Sequence, residues 1–455
     1  MSSKVDVTKP IQPIRAVKGT RDLLPSETPV WQRVEEEARR VLAAYNFREI
    51  RTPVLEPTEL FARSVGIDTD IVTKEMYTFQ DRGEESLTLR PEATASVVRA
   101  YIEHSLYNSD RIQKLYYLGP MFRRERPQKG RFRQFYQIGA EVLGSESPAV
   151  DVEVLEMLVA YLGRLGIQDF RLLLNSVGCG ECRPEYVKVL RRALEDVKAQ
   201  MCVDCQRRAD TNPLRVFDCK VEADQPIIAK LPVILDHLCL ECRQHFNSVT
   251  QGLEQRELSY EITPRLVRGL DYYTRTTFEI TSGALGAQNS VLGGGRYDGL
   301  SELLGGPPTP GFGFAIGEDR LVLAAQQALL SQDVGGQVAP PDGQVDVYVA
   351  WMGHEALRPA AELARSLRRQ GRRVELPYDF TKLKKAMGIA NKLNARFAVI
   401  IGEAELARGR YQIKDMSTGQ QEEVEPDRIP AYLRDRLAAA AEGKTVATGQ
   451  SVRSE

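Results

Sequence analysis

The run Met121–Val142, MFRRERPQKGRFRQFYQIGAEV, gathers polar groups at a spacing suited to phosphate and amino-acid chemistry. Two strand-like halves flank an arginine-dense loop. At the two-residue period of a strand, Arg123 and Glu125 share one face of the first half. In the second half Arg133, Gln137 and Glu141 share a face, with Gly139 leaving room between them, while Tyr136, Ile138, Ala140 and Val142 take the apolar face. A sheet with one oily face and one face of Arg, Gln and Glu is a site floor that can hold a phosphate and an amino acid together. A merely solvated face favours Lys/Glu mixtures over so many bare arginines.

Three further segments add chemistry. In Leu89–Ala95, LRPEATA, Glu92 and Thr94 sit at a strand-to-helix turn, where side chains and free amides can meet a ligand; capping the helix is the competing role for Glu92. In Leu266–Glu279, LVRGLDYYTRTTFE, Arg268 and Tyr273 would face opposite sides of an unbroken strand, and a bulge at Gly269 would bring them together. The glycines of Leu292–Leu300, LGGGRYDGL, and Gly311–Leu321, GFGFAIGEDRL, allow close backbone approach to a flat or phosphorylated ligand, and Arg320 falls in the first turn of a helix. The triple glycine matches neither a dinucleotide-binding nor a P-loop pattern.

The elements that carry these groups follow from periodicity. Trp31–Tyr45 reads as a helix with Val34, Ala38, Val41, Leu42 and Tyr45 on one side. Phe47–Leu55 reads as a strand interrupted by Pro53, which suits an edge or an interface. Residues 87–105 run from strand to helix with Pro91 at the first helical position, 111–143 form the hairpin, and Asp151–Leu165 is a helix. From about 175 to 255 the pattern turns helical, charged and cysteine-rich, as an inserted module would. Strands return at Tyr260–Ile262, Val267–Ile280, Val291–Tyr297 and Phe312–Gly317, followed by a helix from Glu318. Residues 331–344, rich in Gly, Pro and Gln, read as a linker. Strands at Val345–Ala350, Arg373–Leu376, Phe397–Ile401 and Tyr411–Asp415 then alternate with helices at His354–Gln370 and Leu383–Leu393. Residues 437–455 read as a flexible tail. The fold class is α/β (α+β): a core over 1–330, the linker, and a second α/β domain over 345–436.

Composition narrows the function. A net charge of −1 over 455 residues argues against a polybasic binder but leaves room for local basic patches. Residues 345–436 hold 17 Lys/Arg against 13 Asp/Glu, and Lys382, Lys384, Lys385 and Lys392 cluster on a short segment. No run is long enough to span a membrane, and the N-terminus lacks a signal-peptide core, so the expected location is the cytoplasm. The seven cysteines form three C-x-x-C pairs, Cys179/Cys182, Cys202/Cys205 and Cys239/Cys242, with Cys219 alone. Two pairs suffice for a tetrahedral zinc site. The 34 positions from Cys205 to Cys239 exceed a compact ribbon, so the favoured expectation is reduced thiols with no bound metal.

Taken together, these segments resemble histidyl-tRNA synthetases, class II aminoacyl-tRNA synthetases, in their bacterial form and over essentially the whole chain. The helix and strand ending at Pro53 resemble class II motif 1, Tyr117–Glu141 motif 2 and Gly311–Leu321 motif 3; LVRGLDYYTRTTFE and GGGRYDGL resemble histidine-specific segments. The resemblance implies a class II antiparallel sheet with flanking helices and a C-terminal anticodon-binding domain. It implies ATP-dependent attachment of L-histidine to histidine-specific tRNA through a histidyl-adenylate, by a homodimer, with Mg²⁺ bridging the ATP phosphates and no tightly bound cofactor. By the same resemblance Arg123 and Arg268 flank the α-phosphate, Arg123 also meeting the substrate carboxylate; Glu125 meets the adenine side, and Arg131 and Arg320 join the ATP set. Glu92, Thr94 and Gln137 grip the amino group, Glu141 and Tyr273 hydrogen-bond the imidazole, and Tyr272 and Tyr297 line the pocket.

The chain departs from the family at Ala93, where Gly is frequent and which is expected to narrow the pocket edge, and at Tyr136, where His is frequent. Some bacterial relatives carry a further cysteine near 224, where this chain reads Val-Glu-Ala-Asp, which weakens the zinc reading. The alternatives are a regulatory paralogue of ATP phosphoribosyltransferase, which lacks the C-terminal domain, and an uncharged-tRNA sensor module of a signalling protein.

Overall fold

A computed structural model describes residues 13–66, 69–109, 112–128, 130–285, 289–332, 345–379 and 382–441. The chain divides into two compact units, Met1–Gly336 and Gln337–Glu455.

The first unit is built on an eight-stranded sheet. Its spatial order is Arg48–Glu49, Gln113–Phe122, Gln134–Leu143, Gly311–Gly317, Ser290–Arg296, Thr274–Thr281, Arg171–Ser176 and Glu261–Ile262. Neighbours are antiparallel except the two outermost pairs. Strand alternation decides the layers. Ile138, Ala140 and Val142 join Phe314 and Ile316 beneath Val34, Ala38, Val41 and Leu42 of the helix Thr28–Ala44, and beneath the helices Pro148–Arg164 and Glu318–Gln332. Each buried Leu, Ile or Val in this layer contributes about 1.5–3 kcal/mol by leaving water. The helix Thr28–Ala44 starts with Pro29 in its first turn and is followed by Asn46 at φ +64°, a left-handed terminator. Gln137, Gly139 and Glu141 point to the other face.

Arg296 ties this sheet to the helix Pro148–Arg164. Its guanidinium is fully buried and donates to the Asp151 carboxylate at 2.5 Å and to the Ser145 and Ser147 carbonyls at 2.9 and 3.0 Å. Arg90, also buried, donates to the Thr52 and Pro120 carbonyls and so fastens the Pro53 segment to the hairpin.

Several expectations require correction. The strand expected over Phe47–Leu55 is two short pieces, Arg48–Glu49 in the large sheet and Leu55–Pro57 in a separate three-stranded one, broken around Pro53. Pro91 is not the first helical residue: the helix runs Thr94–Glu103. Leu266–Tyr273 is irregular and the strand begins at Thr274, so no Gly269 bulge is needed. The first hairpin strand ends at Phe122, which puts Arg123 and Glu125 in the loop.

The inserted module is helical, with its own core of Tyr186, Leu190, Leu194, Val216, Ile228 and four cysteines. The second unit is a five-stranded mixed sheet ordered Val374–Glu375, Val347–Trp351, Phe397–Ile401, Tyr411–Asp415, Gln421–Val424. Its central strands are buried on both faces: Val347, Val349 and Trp351 pack under His354–Arg369 and Ile429–Ala441, whereas Tyr348 and Ala350 meet Ala386 and Ala390 of Leu383–Lys392. The helix Glu403–Arg408, the strand Gln421–Val424 and the helix Ile429–Ala441 had no counterpart in the sequence reading, and this last helix occupies the start of the expected tail. Residues 333–344 of the expected linker and 442–455 of the tail lie outside the described residues. Among the described residues no helix is long and apolar enough to cross a membrane.

Candidate functional site

The polar face of the large sheet floors a cleft of about 810 Å³. Five cationic side chains, Arg123, Arg131, Lys220, Arg268 and Arg320, and five carboxylates, Glu92, Glu125, Asp218, Glu279 and Asp319, line it together with Thr94, Gln137, Tyr272 and Tyr273. This density of fixed charge, balanced in sign, suits a substrate with both phosphate and ammonium groups.

Arg268 comes from the irregular Leu266–Tyr273 segment and reaches across the strand Ser290–Arg296. It donates to Glu279 at 2.5 Å, while its Nε has no hydrogen-bond partner among the described residues. Burial opposes the Arg268 charge, and Glu279 together with Tyr273, Asp218 and Tyr272 more than offsets it. Gly293 makes the crossing possible: a Cβ there would lie 2.5 Å from the guanidinium carbon. The triple glycine therefore serves the protein rather than a ligand. Gly293 admits Arg268, Gly294 admits the Gly313 carbonyl, and Gly295, at φ +155°, admits the Thr276 carbonyl.

Arg123 leans over Phe135 at 5.3 Å and donates from Nε to the Pro91 carbonyl at 2.9 Å. Its NH1 lies 3.9 Å from Glu125, which also pairs with Arg131 at 3.3 Å. Arg320 donates to the Ser290 carbonyl, and burial together with the neighbouring Arg131 charge pushes its pKa down. Two like charges pressed together in this way favour a polyanion between them.

At the other end Glu92 accepts from the Thr94 and Ala95 amides at 2.7 and 3.0 Å, so it caps the helix Thr94–Glu103 and also lines the cleft. Burial raises its pKa. The Gln137 Oε1 is buried without a partner among the described residues, an acceptor left open on a residue that lines the cleft. Glu141 is fully buried one layer behind the wall. It accepts from Thr94 Oγ1 at 2.8 Å and Tyr297 Oη at 2.6 Å, and burial pushes its pKa up to about 8. Tyr297 likewise stands behind the wall, 5.8 Å from Tyr272, and Tyr272 lies 4.8 Å from Tyr273. Gly139, expected to make room on the floor, makes it for the Tyr117 hydroxyl.

Of the residues singled out in the sequence, Arg123, Glu125, Arg131, Arg268, Arg320, Glu92, Thr94, Gln137, Tyr272 and Tyr273 line one cleft, with Glu141 and Tyr297 behind it. Arg133 does not join them; it donates to the Glu125 and Lys18 carbonyls away from the floor. Ala93 packs with Val97, Leu115 and Met121 and does not narrow the pocket edge. Tyr136 meets Trp31 edge-on in the apolar layer. Glu279, Asp319, Asp218 and Lys220 were missed. The first two lie inside quoted segments, and Glu279 alternates with the core residues Phe278 and Ile280, a usable signal; the last two come from the inserted module, whose return to the cleft leaves no local trace.

Comparison with known proteins places this geometry. Residues 19–321 match the family model for histidyl-tRNA synthetase, and residues 346–436 match an anticodon binding domain. A histidine--tRNA ligase of Solibacter usitatus is 60% identical over 421 residues, covering 92% of this chain and 99% of that protein. One from Koribacter versatilis is 53% identical over 444 residues, covering 95% and 99%. The crystal structure of apo histidyl-tRNA synthetase from S. aureus superposes with a TM-score of 0.77 at 37% identity, covering 93% of this chain and all of that one.

Proposed function

Because the chain belongs to the histidyl-tRNA synthetase family, we propose that the cleft of the first unit makes histidyl-adenylate and passes the histidyl group to tRNA. The chain is a histidine--tRNA ligase: it joins L-histidine to its tRNA at the expense of ATP. The histidine carboxylate attacks the α-phosphorus and pyrophosphate leaves; a tRNA hydroxyl then attacks the adenylate carbonyl and AMP leaves. The first nucleophile is already ionised, so the site needs alignment and charge neutralisation rather than a general base. Mg²⁺ would enter with ATP as part of the substrate and offset charge on its phosphates.

Arg123 and Arg268 take the α-phosphate, with Arg123 also on the substrate carboxylate. Arg131 and Arg320 take the phosphate tail, and Glu125 the adenine side. Glu92, Thr94 and Gln137 hold the ammonium. Tyr272 and Tyr273 grip the imidazole, and Glu141, braced by Tyr297 and Thr94 behind them, sets the polarity of the blind end that its ring N–H faces. The observation that carries this assignment is the buried, half-satisfied pair of Gln137 Oε1 and Arg268 Nε in one charged cleft.

The second unit reads the anticodon, supported by the match over 346–436 and by four exposed lysines, 382, 384, 385 and 392, that form no ion pair among the described residues. The loop 128–133 meets the acceptor end. The same match weighs against a regulatory paralogue. The working form is a cytoplasmic homodimer, which light scattering at twice the chain mass would support and a clean monomer would contradict. The decisive assay is histidine-dependent ATP–pyrophosphate exchange followed by charging of histidine tRNA. Failure of exchange with folded protein would overturn the assignment.

A further inference from the structure

The seven cysteines are all free, and the fold sorts them into two clusters that chain order does not suggest. Cys179 and Cys182, at the entry to the inserted module, meet Cys239 and Cys242, at its exit, across 60 positions. The pairs Cys179–Cys182, Cys179–Cys239 and Cys182–Cys242 each stand 3.8 Å apart. In the second cluster Cys202, Cys205 and Cys219 surround the Asp224 carboxylate; Cys202 and Cys219 are 3.8 Å apart, and Cys219 Sγ is 3.2 Å from Asp224 Oδ2. Within each cluster all four ligand atoms lie within 4.8 Å of one another.

These spacings fit one ion per cluster. Zinc–sulfur bonds are about 2.3 Å, which sets tetrahedral sulfurs about 3.8 Å apart. A disulfide needs about 2.05 Å, far shorter than any pair here. The Glu181 and Val221 amides donate to Cys179 and Cys219 at 3.4 Å, the kind of support that thiolate ligands receive. Asp224 supplies the independent observation. Its carboxylate is buried, yet no Lys, Arg or His pairs with it among the described residues; it accepts instead from the Cys202 amide. A buried carboxylate with three thiols around it and no basic side chain beside it is a fitting fourth ligand for a metal ion. The departure at 224 that weakened the zinc reading in the sequence thus places a carboxylate where a fourth ligand belongs.

We infer that the inserted module binds two zinc ions, one through Cys179, Cys182, Cys239 and Cys242 and one through Cys202, Cys205, Cys219 and Asp224. The first staples the module where it leaves and rejoins the catalytic sheet. The second holds the segment on which Asp218 and Lys220, the two neighbours of Cys219, form a wall of the cleft. Arg215, close by, pairs with Asp218 at 3.2 Å and with Asp271 at 3.3 Å, on the loop that carries Arg268. The ligating thiols give up their protons on binding, and each site keeps soft donors suited to zinc.

The test is elemental analysis of the full-length protein purified without chelator, with thiol titration before and after denaturation in EDTA. Two zinc ions per chain, with all seven thiols titrating only after denaturation in EDTA, is the expected result. Asp224→Ala should lose one ion and Cys242→Ser the other. Removing zinc from the wild type should raise amide hydrogen exchange across 202–224 and Leu266–Tyr273. Seven free thiols without metal, iron in place of zinc, or disulfides in the unreduced protein would overturn the proposal. A single ion retained by Asp224→Ala would overturn the second site, and unchanged exchange after zinc removal would overturn its role in the cleft wall. Should either variant fail to fold, the wild-type metal and thiol counts still decide.

Discussion

Gly293→Ala isolates the positioning of Arg268 from its chemistry. The added Cβ would stand 2.5 Å from the guanidinium carbon, whereas ordinary contact begins near 3.4 Å. The guanidinium must therefore retreat by about 0.9 Å, and displacements of about 1 Å in a positioned group cost about 10²-fold in rate. That equals about 2.7 kcal/mol of barrier, close to the loss expected when one fixed electrostatic group is removed. The backbone at Gly293 is not left-handed, so alanine brings no strain of its own. In histidine-dependent pyrophosphate exchange, Gly293→Ala should lower kcat about 10²-fold with little change in melting temperature, and Arg268→Ala should match or exceed it. The double variant separates the causes. If glycine acts through Arg268, adding Gly293→Ala to Arg268→Ala should cost little more. A single variant within about threefold of wild type, or a further hundredfold loss in the double variant, would refute the reasoning.

Arg296→Met should destabilise the first unit by about 3–5 kcal/mol, read by urea denaturation, because it leaves the Asp151 carboxylate buried without its partner. Glu141, with a folded pKa near 8 against an ordinary value near 4.5, binds its proton more tightly in the native state. Its contribution is complete below about 4.5 and is lost as pH rises through about 8, so the unfolding midpoint of the wild type relative to Glu141→Gln should fall across that window in the absence of substrate. A flat difference would count against a buried acid at this position. Truncation after Gly336 should spare histidine-dependent exchange while sharply reducing tRNA charging; equal charging by a folded truncated protein would remove the second unit from anticodon reading.

What was legible in the sequence was what local periodicity encodes. Gln134–Leu143 alternates so cleanly that both of its faces could be assigned, and Phe397–Ile401 and Tyr411–Asp415 agree to the residue. Gln421–Val424 escaped because an edge strand of Gln-Glu-Glu-Val has no apolar face to alternate. Leu266–Tyr273 misled because its hydrophobic residues mimic a strand, whereas its path is set by Arg268 reaching Glu279 and by Arg183 donating to the Tyr273 carbonyl. Asp218 and Lys220 were illegible for the same reason as the cysteine partners: only the folded module decides what returns to the cleft. The family resemblance supplied roles for Glu141 and Tyr297, but not their depth behind the wall.

The strand Gln134–Leu143 turns Tyr136, Ile138, Ala140 and Val142 to the hydrophobic layer, and Gln137, Gly139 and Glu141 to the opposite face, where Gln137 lines the cleft and Glu141 lies buried behind it. Adding or removing one residue within it would exchange the two sets beyond that point, pressing Gln137 and Glu141 into the apolar layer and stripping Glu141 of its Thr94 and Tyr297 partners. Such a molecule would fail to fold before its chemistry could be tested. Foldability and the placement of the cleft's groups are thus inherited together along this stretch, because one register serves both faces of the strand.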